Sequence, residues 1–174
     1  MDRFDLKTWI REVPDYPKPG ITFYDLTTLL GRPEGLKAAV DGIAGRFRDT
    51  PVDVVAGIEA RGFILAAAIA YERGVGLLPI RKPGKLPWKT ASEEYQLEYG
   101  SGRLEVHEDG AKPGQRVLVI DDVLATGGTA RAAATLVTRL GATVAGFGFL
   151  IELSFLGGRT RLEGDEIFSL VQYE

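Results

Sequence analysis

The feature that most constrains the fold is a set of short apolar runs separated by alanine-rich stretches of helical length. VDVVAGI (52–58), GVGLLPIR (74–81), RVLVID (116–121) and ATVAGFGFLIEL (142–153) are almost continuously apolar. A strand with one wet face alternates polar and apolar residues. These do not, so both of their faces must be covered. EIFSLVQY (166–173) reads as a final strand. Between the runs, FILAAAIAYERG, closed by Gly74, and TARAAATLVTRLG, closed by Gly141, predict helices. Pro33 to Phe47 predicts another, with apolar residues at Leu36, Val40, Ile43, Ala44 and Phe47 and a proline suited to a first helical turn. Strands alternating with helices call for an α/β fold, a mostly parallel sheet flanked by helices. At 174 residues the chain reads as a single domain, 1–174.

Two segments stand outside this alternation. Near the start, Phe4, Leu6, Trp9, Ile10 and Val13 fall at roughly helical spacing and predict a short amphipathic helix, ended by Pro14, Pro17, Pro19 and Gly20. From Arg81 to Pro113, a basic loop holds Arg81, Lys82, Lys85 and Lys89, with Pro83, Gly84 and Pro87 forbidding regular structure. YQLEYG and GRLEVH then alternate like the arms of a hairpin turning at Gly100–Gly102. A long loop and hairpin inserted in an α/β sheet is expected to serve function.

Composition removes whole classes of chemistry. There is no cysteine and one histidine, His107, which excludes disulfide scaffolds, thiolate zinc sites and cysteine nucleophiles and disfavours histidine triads. His107 itself reads as a surface residue. A net charge of −3 carries no nucleic-acid footprint. No apolar run reaches the ~18 residues of a membrane span, and the first residues show no signal-peptide pattern. A cytoplasmic protein with neither nucleic acid nor membrane as partner is expected. Glycine, by contrast, is in excess: 22 residues, nearly double the usual ~7%. Gly57, Gly62, Gly127 and Gly128 fall near strand-to-helix turns, and Gly84, Gly100 and Gly102 in the loop and hairpin. Such positions suit close approach of the backbone to a ligand.

VLVIDDVLATGGTA (117–130) carries the most chemical information. A buried strand brings Asp121 and Asp122 to its C-terminal end, where ligands gather in open α/β sheets. Thr126-Gly127-Gly128-Thr129 then opens a helix, and small residues there let backbone N–H groups and the helix dipole converge on an anion. A phosphate suits that turn. The carboxylates must face something else, either hydroxyls attached to the phosphate or a magnesium ion. The glycines are not followed by a lysine, and no G-x-G-x-x-G is present, so neither a Walker loop nor a dinucleotide fingerprint is involved.

VLVIDDVLATGGT resembles the phosphoribosyl pyrophosphate (PRPP) motif of the type I phosphoribosyltransferases. PDYPKPGITFYDLT, AGIEARGFILA, IRKPGKLP, YQLEYG, FLIEL and SLVQYE follow in the order found in the family's adenine-specific branch. The resemblance implies a twisted central sheet with a small hood, about residues 1–32, and a flexible catalytic loop and hairpin, about 81–113. It implies transfer of the 5-phosphoribosyl group of PRPP to adenine, giving AMP and pyrophosphate, by a magnesium-dependent enzyme of purine salvage that forms a homodimer.

The same resemblance assigns roles. Ala125, Thr126, Gly127, Gly128 and Thr129 would cradle the 5′-phosphate, and Asp121 and Asp122 the ribose hydroxyls and the developing oxocarbenium charge. Glu59, Ala60, Arg61, Arg81 and Lys85 would attend the pyrophosphate, with Arg81 acting within the subunit or across a dimer and a cis peptide between Glu59 and Ala60. Lys82 and Lys89 read as solvated surface. Glu98, beside Tyr99 on the hairpin, would take the proton of the base. Adenine would lie between Phe23 and Leu153, read by backbone groups around Thr22 and Tyr24. The family places a basic residue where Tyr24 stands, so no charge-based role is expected there. Magnesium would be held mainly through PRPP, with Asp121 or Asp122 reaching it through water.

Two other readings compete. One is a phosphoribosyltransferase for hypoxanthine, guanine, xanthine or orotate. Enzymes that read a 6-oxo purine resemble one another in a lysine near FGFLIEL (147–153), and none is present. The other is a non-catalytic PRPP-binding regulator, which would need a basic face or a nucleic-acid-binding extension.

Overall fold

The computed structural model describes residues 5–96 and 101–174. Five parallel strands form the central sheet: β3 (Val54–Ile58), β4 (Gly76–Ile80), β7 (Arg116–Leu124), β8 (Thr143–Leu153) and β9 (Ile167–Tyr173), in the order β4-β3-β7-β8-β9. All of β3 is buried, as its unbroken apolar sequence requires. Successive residues point to opposite faces, so Val54, Ala56, Val117 and Val119 enter one core and Val55, Leu118 and Ile120 the other. The first core is closed by α4 (Gly128–Arg139), whose buried alanines allow close approach. The second is closed by α2 (Pro33–Arg46) and α3 (Gly62–Arg73). Gly74 ends α3 in the left-handed conformation, φ +65°, where a side chain would be strained.

The N-terminal reading needs correction. Instead of an amphipathic helix there is one 3-10 turn, Leu6–Trp9, capped by Asp5, followed by strand β1 (Arg11–Val13). β1 pairs antiparallel with β2 (Phe23–Asp25), with Glu12 opposite Tyr24. A partner strand ten residues away satisfies the backbone better than a helix that Pro14 would stop. α1 (Thr27–Leu30) then leads to α2. Ile10, Leu26 and Leu29 are buried and seat this hood on the sheet.

The hairpin is present but its first arm begins earlier than expected. β5 (Thr90–Gln96) pairs with β6 (Ser101–His107), with Gln96 opposite Ser101, so Leu97 to Gly100 of the expected arm lie outside the described residues. Tyr95 sits opposite Gly102, and a Cβ on Gly102 would fall 2.5 Å from its ring. Arg81 bridges to Glu105 through paired backbone bonds, which ties β6 to the end of β4. His107 is half-buried rather than a surface residue, and its Nε2 is enclosed without a partner among the described residues. Among those residues no helix is long and apolar enough to cross a membrane.

Candidate active site

The C-terminal ends of β3, β7 and β8 open into a cleft of about 740 Å³, a volume suited to a nucleotide-sized ligand. The hood supplies Thr22, Phe23 and Tyr24; the turn after β3 supplies Glu59, Ala60 and Arg61. β7 and its turn supply Asp121, Asp122, Ala125, Thr126, Gly127 and Thr129, and β8 supplies Leu153. Thirteen positions singled out from sequence therefore face one space, although they come from four separate parts of the chain.

β7 runs on to Leu124, so the two aspartates lie within the strand and not at its last residue. Both are buried, Asp121 to 9% and Asp122 to 6% exposure. Asp121 Oδ1 accepts the N–H of Asp122 at 2.9 Å. Asp122 Oδ2 is fully enclosed, accepts no hydrogen bond among the described residues, and has Arg61 Nε 2.5 Å away as its charge partner. Burial raises the Asp121 carboxyl well above the ordinary carboxylate range, and the neighbouring Asp122 raises it further. Burial raises Asp122 as well, with Arg61 opposing. Two buried carboxylates facing one cation leave an acidic site ready for a further positive charge or for hydroxyl donors.

Beyond β7, Gly127 takes the left-handed conformation, φ +78°, at the N-cap of α4, and Gly127 and Thr129 line the cleft. Gly128 is buried at the first position of α4 and does not line the space. Behind this loop lies a segment that sequence reasoning missed. A Cβ on Gly127 would meet the carbonyl oxygen of Gly158 at 2.4 Å, and one on Gly158 would meet that of Ala125 at 2.2 Å. Gly158 opens the 3-10 turn Gly158–Leu162, which is held by Arg159 bonding both carboxylate oxygens of Glu152 at 2.7 and 2.8 Å. Burial works to raise the Glu152 carboxyl, but its bonds to Arg159 leave it below the ordinary value.

The turn after β3 holds a cis peptide between Glu59 and Ala60, as the resemblance implies. The Glu59 side chain is already engaged: Oε2 accepts from Arg81 Nε and from the Lys82 N–H, each at 3.0 Å. Burial works to raise its carboxyl, and these two bonds bring it below the ordinary value. Arg81 also bonds the Lys85 carbonyl and stands over the Phe63 ring, so neither Arg81 nor Lys85 lines the cleft. Lys82 is exposed, as expected, and also borders the cleft. Gly57 lies inside β3, where its missing Cβ makes room for Ala66 and Phe63 of α3 and not for a ligand. Tyr95, the first residue of YQLEYG, and Leu156, which no motif marked, also line the walls. Glu98 and Tyr99 lie outside the described residues.

In the hood, Phe23 receives the edge of Tyr16, with centroids 5.4 Å apart, and the Arg61 guanidinium stands 5.3 Å over its ring. Tyr24 packs on Tyr173, the last residue of β9.

A model of the phosphoribosyl transferase domain matches residues 27–166. An adenine phosphoribosyltransferase of Desulfitobacterium hafniense is 57% identical over 173 residues, spanning 99% of this chain and all of that protein. Among solved structures, the enzyme of that name from Thermoanaerobacter pseudethanolicus superposes with a TM-score of 0.94 at 48% identity, covering 97% of this chain and 98% of that one. The Saccharomyces cerevisiae enzyme, complexed with an imino-altritol bisphosphate and adenine, superposes with a TM-score of 0.88 at 35% identity, covering 95% and 96%. With the strand, carboxylate pair and anion-binding turn all in place, the chain belongs to the phosphoribosyl transferase family, among its adenine phosphoribosyltransferases.

Proposed function

We infer that this cleft transfers the 5-phosphoribosyl group of PRPP to adenine, releasing pyrophosphate and forming AMP. The observation that carries the reading is the juxtaposition on β7 of a buried carboxylate pair and, a few residues on, a glycine-opened helix N-terminus. The turn of Ala125 to Thr129 binds the 5′-phosphate through backbone N–H groups and the threonine hydroxyls. Asp121 and Asp122 accept the ribose hydroxyls. As the bond from the anomeric carbon to the diphosphate lengthens, the sugar gains positive charge and the carboxylates stabilise it. Arg61, with Lys82 beside it, faces the departing diphosphate. Arg81 acts on that side by holding Glu59 and the basic loop in place.

Adenine lies between Phe23 and Leu153, its ring against an aromatic face. Its ring nitrogen bonds to the anomeric carbon, and the proton it loses passes to Glu98, with Tyr99 adjacent. The donor set fits magnesium in one specific way. No group of three or more acidic or histidine side chains among the described residues could hold a metal ion, and Asp122 Oδ2 is already paired with Arg61 Nε. Asp121 or Asp122 would therefore reach the ion through water, with PRPP oxygens as its main ligands. When bound, magnesium neutralises charge on the diphosphate. The reading also includes a cytoplasmic location and a homodimer; exposed Ile64, Tyr71 and Leu77 support a second copy as partner.

The test is incubation with PRPP, magnesium and a panel of bases, followed by identification of the nucleotide. AMP formed from adenine in preference to any 6-oxo purine product is expected. Preference for hypoxanthine or guanine would refute the base assignment, and no nucleotide with any base would refute the reaction.

A further inference from the structure

Tyr24 stands where the family places a basic residue, and the described contacts give it a different task. Its ring centroid lies 4.0 Å from that of Tyr173, with the planes 37° apart. Tyr173 is only 8% exposed, its Oη is enclosed without a partner among the described residues, and Lys7 Nζ lies 5.0 Å over its ring. Neither phenol reads as a proton carrier. Burial raises both, Tyr173 to about 12, with Glu12 adding to the rise in each case.

The positions of the two rings matter more than their hydroxyls. Tyr24 follows Phe23 in β2, and neighbouring residues of an extended strand project to opposite sides. Tyr173 is the in-register partner of Leu153 on the adjacent parallel strand. Phe23 and Leu153 are the two walls assigned to adenine. Each wall thus has a tyrosine as immediate neighbour, and the two tyrosine rings pack on each other at a tilt. Elsewhere the hood is seated by Ile10, Leu26 and Leu29, which lie away from the cleft lining. At the cleft itself, the Tyr24–Tyr173 contact joins the hood strand that carries Phe23 to the strand beside Leu153, while Arg61 and Tyr16 pack on the Phe23 ring.

We propose that Tyr24 and Tyr173 are positioning residues that fix the width of the base slot. The inference rests on the adenine reading given above. It attributes to the rings alone an effect on base binding that leaves the PRPP side untouched. An aromatic pair contributes ~0.5–1.5 kcal/mol beyond its buried area, which corresponds to about two- to tenfold in an equilibrium constant.

Steady-state kinetics with both substrates varied test it on Tyr24→Leu, Tyr173→Leu, the double variant and Tyr173→Phe. Each leucine variant is expected to raise KM for adenine about five- to tenfold while KM for PRPP moves less than about twofold. The double variant should show no more than the larger single effect, because one contact is lost in all three. Tyr173→Phe keeps the ring and should retain the wild-type KM for adenine. An unchanged adenine KM in Tyr24→Leu, an equal rise in both KM values, or additive single effects would overturn the proposal. Tyr173→Phe behaving like Tyr173→Leu would overturn it too, by assigning the effect to the hydroxyl. Wild-type protein that forms no AMP in the same assay would overturn the underlying reading itself, which separates the two failures.

Discussion

Gly158→Ala isolates the segment behind the phosphate-binding turn. The new Cβ would lie 2.2 Å from the Ala125 carbonyl oxygen and 3.0 Å from the Gly127 nitrogen. Carbon–oxygen contacts settle at about 3.3 Å, so turn and segment must part by roughly 1 Å. Neither partner is the end of a flexible side chain, and Arg159, bonded twice to the buried Glu152, resists retreat on the far side. Overpacking of this kind costs ~1–3 kcal/mol, which for a chain of this size lowers Tm by about 2 to 12 °C. Displacement of a ligand-positioning group by about 1 Å can cost 10²-fold. The expected result is a fall of ten- to a hundredfold in kcat/KM for PRPP, with KM for adenine changed by less than about threefold. Initial rates at saturating adenine, paired with thermal melts, measure it. A lowered Tm with unchanged PRPP kinetics would refute the reasoning, since the clash would then be absorbed without moving the turn.

Other expectations follow from the electrostatics and from the hairpin. Asp121→Asn should raise Tm at neutral pH while abolishing most turnover. The folded carboxyl sits above its unfolded value, so it weakens the fold progressively as pH rises from the ordinary carboxylate range through that elevated value; the gain in Tm should vanish toward pH 4. A variant no more stable at pH 7 than the parent would count against the buried-charge account. Arg159→Leu leaves Glu152, 4% exposed, without its cation and should cost about 3 kcal/mol by denaturant melts. A loss below about 1 kcal/mol would mean the pair is solvated. Glu98→Gln should lower turnover at least ~10-fold while calorimetry shows PRPP still binding; near-wild-type turnover would remove Glu98 as the base.

Sequence reasoning succeeded where local pattern and tertiary demand coincide. Unbroken apolar runs could only be doubly covered strands, and the carboxylates, glycine and helix start from Asp121 to Thr129 meet at one cleft because they are contiguous in the chain. It failed where long-range pairing decides. Leu6 to Val13 carries helical spacing, yet β2 captures its second half as a strand. Arg81 reads as a pyrophosphate ligand, and its pairing with Glu59, twenty-two residues earlier, is seen only in the fold. Gly57 looks like a ligand turn because its sequence neighbours are one, whereas its missing Cβ serves α3. Gly158 lay in no marked motif, and Tyr173 was marked only as part of EIFSLVQY and SLVQYE, because their roles depend on Ala125 and Tyr24, which only folding brings near. A glycine-arginine pair shortly after a strand with a buried glutamate next to its end is the pattern that could have pointed to the first.

Glu152 and Leu153 are consecutive residues of β8. One anchors the prop behind the turn proposed to bind phosphate, and the other lines the cleft where the base is proposed to lie. Any backbone shift that reshapes the base pocket at this strand end therefore drags the phosphate turn with it. Divergence toward a new base by remodelling the strand would forfeit the sugar-phosphate partner in the same step. The accessible route is exchange of side chains on an unmoved backbone, at Phe23, Leu153 and the tyrosines beside them. Selection for a different base should accordingly leave its marks at those few positions and spare the strand that carries them.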